Sequence, residues 1–216
     1  MKSVRVIAKR VLPSRLWHKL RLMKEGRTNR KVARNYLRQI AATGSPIVTP
    51  MDAHVIAAMS QFKVENVLEV GTGGGRLTYW LARQGWKVTG VEPDRWYRDL
   101  VSEFLQKHGL IGTNIRDGDV QDLKFEDRQF DVVLCNAVIE HVRNPQAAVS
   151  ELVRCSRIAC IITTPYGYEA DSPDHKQHFF ESDIENLASR YKTEKTIVYD
   201  RPEGNRTWLI TIRRSS

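Results

Sequence analysis

Short apolar runs alternate with amphipathic stretches along most of this chain. Val67, Leu68 and Val70 belong to the first run, and others follow at 86–91, 114–116, 130–135 and 158–165. Apolar, β-branched runs this short predict strands, and strands buried on both faces in a parallel sheet. Between them apolar residues recur at helical spacing. Leu77 and Leu81 mark one helix, Leu100, Phe104 and Leu105 a second, and Ala148, Leu152 and Val153 a third that opens at Pro145. Thr49-Pro50 with Asp52 in the first turn predicts a helix over 50–62, preceding the first strand. Asp94 is placed to cap the second of these helices. A further helix is predicted over 182–191. Two β-rich runs, 193–199 and 207–212, are joined around Arg201-Pro202-Glu203-Gly204 and predict a terminal antiparallel pair. Strands alternating with helices predict an α/β fold with helices on both faces of the sheet.

Residues 1–45 follow another pattern. Val4, Ile7 and Val11 predict a first short helix, interrupted at Pro13. Ser14 caps a second through Leu16, Trp17, Leu20 and Met23, with Gly26 as its stop. Thr28 caps a third, with Val32, Tyr36, Leu37 and Ile40 on one face and Gly44 at its end. Charge separates this region from the rest. The chain of 216 residues carries +9, but residues 1–45 hold 13 Lys or Arg and one acid, for +12, leaving −3 on the remainder. The sequence thus divides into a basic helical extension, 1–45, and an α/β domain, 46–216. Two readings of the extension stand: a lid packed on the domain, or a peripheral arm for an anionic surface. No apolar run reaches the roughly 20 residues that span a bilayer. No secretory leader is read, so a cytoplasmic location is expected, with weak association at the anionic inner membrane surface through 1–45. Cys135, Cys155 and Cys160 lie in or beside apolar runs without metal spacing, and read as buried free thiols.

The chemistry starts where the first strand ends. Glu69-x-Gly71-x-Gly73-x-Gly75 is a strand, a glycine turn and the start of a helix, the arrangement that brings bare backbone up to a ligand. A dinucleotide fingerprint needs a glycine at 76, and Arg76 stands there. Glu92 ends the second strand about 20 residues beyond the first glycine. There it is placed to accept hydrogen bonds from both ribose hydroxyls of a nucleoside. After the third strand, Asp119 is placed to accept from an exocyclic amine while Val120 covers a face of an adenine.

Taken in order, Glu69 to Gly75, Glu92, Asp119-Val120, Phe130-Asp131-Val132-Val133, Glu140-His141-Val142 and Thr164-Pro165 resemble the class I S-adenosylmethionine (SAM) dependent methyltransferases. The likeness is to the small-molecule branch, with its ubiquinone and menaquinone methyltransferases and its sugar and natural-product O-methyltransferases. It covers about residues 48–213. It implies a three-layer, Rossmann-like sheet of seven strands with the last antiparallel. The cofactor set that it implies is Glu69, Gly71, Thr72, Gly73, Gly75, Glu92, Pro93, Asp119, Val120, Asn136 and Ala137. Ubiquinone-type relatives carry a second Glu ahead of the Glu-His pair and implicate a divalent metal. Ala137 stands there instead, which argues against both a metal and a quinone acceptor.

Methyl transfer by in-line displacement asks chiefly for positioning, and a hydroxyl acceptor also needs a base. His141, just past the fourth strand, and His175 and His178, in the loop after the fifth, are the candidates. Three function classes remain open: a small-molecule, sugar or lipid-linked O-methyltransferase; an RNA methyltransferase using the basic arm on phosphates; and a non-catalytic SAM-binding protein. Against the second, Asn136-Ala137-Val138-Ile139 stands where base-amino methyltransferases carry an Asn/Asp-Pro-Pro-Tyr/Phe motif. Against the third, Glu92 and Asp119 are retained.

Overall fold

The computed structural model describes residues 14–169, 172–199 and 204–214, with side chains from residue 26 onward. In chain order its elements are α1 (Ser14–Thr43), α2 (Pro50–Met59), β1 (Asn66–Val70), α3 (Arg76–Arg83), β2 (Lys87–Val91), α4 (Arg95–Lys107), β3 (Asn114–Arg116), β4 (Phe130–Asn136), a 3-10 turn (Ile139–His141), α5 (Pro145–Cys155), β5 (Ser156–Pro165), α6 (Glu181–Ala188), β6 (Lys192–Tyr199) and β7 (Arg206–Arg213).

The seven strands lie in the order β3-β2-β1-β4-β5-β7-β6. β1 to β5 pair in parallel, and β7 runs antiparallel between β5 and β6. Consecutive residues of the central strands point to opposite faces, which gives the sheet two cores. Leu68, Val133 and Cys135 pack on one side with Leu152 of α5 and Ile184 of α6. Val67, Val132 and Leu134 pack on the other with Met59 of α2 and Leu81 of α3. Each such side chain contributes about 1.5–3 kcal/mol of burial free energy. All three cysteines are buried and free.

The start of α2 is as expected. Thr49 Oγ1 accepts from the Asp52 amide and the Asp52 carboxylate accepts from the Thr49 amide, a reciprocal cap. Asp94 likewise accepts from the Trp96 amide at 2.8 Å to open α4.

The extension differs from its sequence reading. From Ser14 to Thr43 it is one helix of 30 residues. Gly26 does not stop it and Thr28 does not cap a new one; the expected helix around Val4, Ile7 and Val11 lies outside the described residues. A glycine inside a helix costs about 1 kcal/mol, too little to break a helix held by packing. The packing is supplied by Leu37 and Ile40, which join Tyr79, Val101, Phe104 and Leu105 in a third apolar cluster. Gly44, at φ +67°, ends the helix as read, its amide donating to the Ile40 carbonyl. Among the described residues no helix is long and apolar enough to cross a membrane.

Candidate active site

The carboxyl ends of β1 and β4 open into a cleft of about 340 Å³. Its floor is the glycine turn. Gly71, Gly73 and Gly75 hold φ of +81°, +48° and +75°, a region L side chains rarely enter. Their surroundings differ. A Cβ on Gly71 would run into Val138, and one on Gly75 into Val101 at 2.7 Å. A Cβ on Gly73 would meet nothing within 4 Å. Gly73 therefore faces open cleft, while its neighbours are glycine because protein packs on them.

Two buried acids frame the turn. Glu69 on β1 is 2% exposed, and Thr78 Oγ1 of α3 donates to its Oε2 at 2.6 Å. Burial, opposed by the Thr78 hydrogen bond and reinforced by nearby Glu92, pushes the Glu69 carboxyl up to about 8. Glu92, at the end of β2, accepts from the Gly73 amide at 2.9 Å and the Asp94 amide at 3.0 Å. Burial raises its pKa too, against those two hydrogen bonds. Thr72 Oγ1, in the cleft wall, is buried without a hydrogen-bond partner. Asn136 and Ala137 close the β4 side, Ala137 at φ +54°.

The fourth wall was not read from the sequence as part of the site. Asn29, Val32, Ala33 and Tyr36 of α1 line the cleft, with Tyr97 of α4. Ala33 sits so close to Gly74 that a Cβ there would approach it at 2.8 Å. Arg30 fastens this wall, pairing with Asp94 at 3.0 Å and, with Arg34, lying 4.9 Å from the centre of the Trp96 ring. The signal was present in the sequence: Val32 and Tyr36 share the apolar face of α1 with Ile40. A periodicity shows that a face is covered, and leaves open what covers it. Arg76, which displaced the expected dinucleotide glycine, also lines the cleft, paired with the buried Asp52.

Five residues assigned to the cofactor from sequence lie outside the lining of this cleft: Glu92, which borders it through the Gly73 amide, and Gly75, Pro93, Asp119 and Val120. Asp119 is exposed and accepts from the Gln121 amide at 2.9 Å, and Val120 is buried in the core. The Pro93 carbonyl accepts from Arg98, and Gly75 is the N-terminal cap of α3.

The histidines gather around His141, four residues beyond Ala137. His141 and His175 rings stand 4.8 Å apart, edge to face, and His175 and His178 rings 6.3 Å apart. His141 Nδ1 lies 3.3 Å from Asp174 Oδ2, near enough for an ion pair but outside hydrogen-bond geometry. Glu140 is 2% exposed and accepts from Thr164 Oγ1 at 3.1 Å. The Lys176 and Gln177 amides donate to the Glu140 carbonyl, fastening the loop after β5 onto the turn after β4. Glu140, His141 and His175 bring one donor atom each within 4.8 Å of one another, so these are the described residues able to converge on a cation.

Residues 68–161 match the family described as a methyltransferase domain. Over 103 residues the chain is 30% identical to a ubiquinone biosynthesis O-methyltransferase of Coxiella burnetii, a match covering 48% of this chain and 44% of that protein. The chain thus matches less than half the length of this relative. A putative methyltransferase of Bacillus halodurans shares the fold at a TM-score of 0.63 with 18% identity, over 77% of this chain and 100% of that one. So does the N-terminal domain of EvdMO1, solved with SAH bound, at 0.61 with 20% identity, over 76% of this chain and 80% of that one. The seven-stranded sheet is thus that of these solved neighbours, and the glycine turn at the end of β1 lies inside the stretch, residues 68–161, that matches the methyltransferase domain.

Proposed function

We propose that this chain transfers a methyl group from SAM to an oxygen of a small-molecule, sugar or lipid-linked acceptor. The observation that carries this reading is the cleft over Gly73: a positive-φ glycine with open space above it, flanked by Glu69 and Glu92. SAM suits these groups. Its α-ammonium has a partner in Glu69, its ribose hydroxyls in Glu92, and a polar atom of the methionyl or sugar part in the unpartnered Thr72 Oγ1. When bound, SAM supplies an activated methyl group on a sulfonium.

The remaining work falls to the chain. α1 and Ala137 wall the cleft and exclude water, which strengthens every electrostatic contact inside. Asn136, whose Oδ1 accepts from Thr163 Oγ1 at 2.5 Å, fixes the end of β4, where the acceptor oxygen must approach in line. His141, beside the end of β4, serves as the base that takes the acceptor's proton.

The curated ubiquinone O-methyltransferase supports oxygen as the atom methylated, and Ala137 favours an acceptor other than a quinone. The RNA reading is weakened by the use of Arg30 and Arg34 of α1 on Asp94 and Trp96. Titration calorimetry with SAM and with NADH tests the cofactor, and labelled methyl transfer to polar, glycan and lipid fractions of a cell extract tests the acceptor. Binding of SAM with label in the glycan or lipid fraction is expected. NADH binding without SAM binding, or label confined to RNA, overturns the reading.

A further inference from the structure

The opposite rim of the sheet gathers positive charge. Here β4, β5 and β6 begin and the antiparallel β7 ends. Register puts Lys192, the first residue of β6, beside Arg213 at the end of β7. The Arg214 amide donates to the Ile158 carbonyl of β5, and the Arg128 amide, just before β4, donates to the Arg154 carbonyl. Arg190 lies between the end of α6 and β6. The fold therefore brings Arg128, Arg190, Lys192, Arg213 and Arg214 around one depression of about 280 Å³, with Tyr191 in its wall.

The counter-charge is small. Glu194 takes Arg213 at 2.7 Å. Among the described residues no carboxylate pairs with Arg190, Lys192 or Arg214. Like charges held together repel, and the repulsion is released when a multivalent anion enters. Arg128 adds a second, independent mark. It is one of two non-glycine residues at positive φ among those described, at +58°; the other, Ala137, lines the cofactor cleft. Backbone strain of this kind concentrates where a side chain is aimed for function.

We propose that this depression binds a phosphate or diphosphate group, at a site separate from the cleft and independent of how the cleft is read. The planar forks of Arg190 and Arg214 match phosphate oxygens, and Lys192 adds a point charge. The site is concave and short, which suits a compact anion more than a duplex tracking along a face. Tyr191 is its one aromatic, so successive bases find no stacking platform.

The test is calorimetry of the full chain with sodium pyrophosphate at low ionic strength. The comparison variant is R190Q/K192Q, whose two side chains are exposed. Saturable binding of one pyrophosphate is expected, roughly tenfold or more weaker in the variant, with the thermal melt unchanged. A second variant, K124Q, removes an exposed lysine elsewhere and is expected to bind as the parent does. Absence of saturable binding, equal displacement by chloride at matched ionic strength, or equal affinity in R190Q/K192Q and the parent each overturns the proposal. Flotation with vesicles of phosphatidic acid against neutral phosphatidylcholine separates the two sources. Acidic-vesicle capture that R190Q/K192Q abolishes assigns a lipid headgroup; pyrophosphate binding without capture assigns a free phosphate compound.

Discussion

Two stretches of the same strand-end rim are built by different means. Around β1 and β2 the cleft is made of backbone: a turn of three positive-φ glycines, a Gly73 amide held by Glu92, and a Glu69 locked by Thr78. Beyond β4 the rim is made of side chains, with His141 and His175 half-buried and a loop fastened through the Glu140 carbonyl. The first stretch has its geometry fixed by the strand–turn–helix junction itself. The second depends on which side chains a loop carries, and a loop can exchange them without disturbing the sheet. A common cofactor with a variable acceptor is what this difference suits.

The largest effect expected is at Gly73. Gly73→Val places a branched side chain where no protein atom stands within 4 Å. SAM binding should vanish in calorimetry. The fold should survive at a cost of about 1–2 kcal/mol for the positive φ. Gly71→Val, blocked by Val138, should instead fail in stability, so the pair distinguishes ligand space from packing space.

Next comes the pH dependence of the backbone-built stretch. Glu69 rests at about 8 when folded, against 4.5 ordinarily. The folded state then holds a proton that the unfolded state releases between those values, so stability of the SAM-free protein falls as pH rises from about 5 to 8. The loss is at most about 5 kcal/mol. Glu69→Gln should flatten the slope in denaturant melts at pH 5 and 8. It should also weaken SAM, whose ammonium loses its partner. An unchanged slope would remove Glu69 as the buried titrating group.

The side-chain-built stretch should respond oppositely. His141→Ala is expected to lower turnover by roughly 10²–10⁴ with SAM affinity nearly intact, measured by single-turnover transfer and calorimetry. Near-parental rates would leave the transfer to positioning alone.

Legibility in the sequence follows the same division. Strands β1, β2, β4 and β5 announce themselves as apolar runs, and the caps at Thr49 and Asp94 as short polar signals, because each depends on neighbours within a few residues. The glycine turn is legible for the same reason. The single helix α1 is not, since Gly26 and Thr28 carry the local marks of a stop and a cap, and only contact with α3 and α4 overrides them. Nor is the role of Asn29 and Tyr36 in walling the cleft, which needs residues some 40 to 100 positions away to be in place. His141 and His175 stand out in the sequence only one by one; that they meet is set by the Lys176 and Gln177 amides on the Glu140 carbonyl, which no spacing displays.

The smallest effect expected joins α1 to the backbone-built stretch. Arg30 pairs with Asp94 at 3.0 Å, and both side chains are about two-fifths exposed. An exposed pair of this kind is worth roughly 0.2–1 kcal/mol, and the stacking on Trp96 adds about 0.5–1 kcal/mol. Asp94 also caps α4 through the Trp96 amide, two residues after Glu92. Removing Asp94 would therefore disturb α4 as well as the pair, and Arg30 is the cleaner site. Arg30→Gln is expected to lower stability by about 1–2 kcal/mol. The apolar contacts of Leu37 and Ile40 remain, so α1 stays attached. What should change is the wall over the turn: Asn29, Val32 and Ala33 flank Arg30 on the helix, and SAM should leave the variant faster by a factor of a few at low salt, the gap to the parent narrowing as salt screens the parent's pair. Stopped-flow release of SAM from the parent and from Arg30→Gln at 50 and 300 mM salt reads this directly. A parent release rate that salt does not alter would show that the wall is held by its apolar face alone.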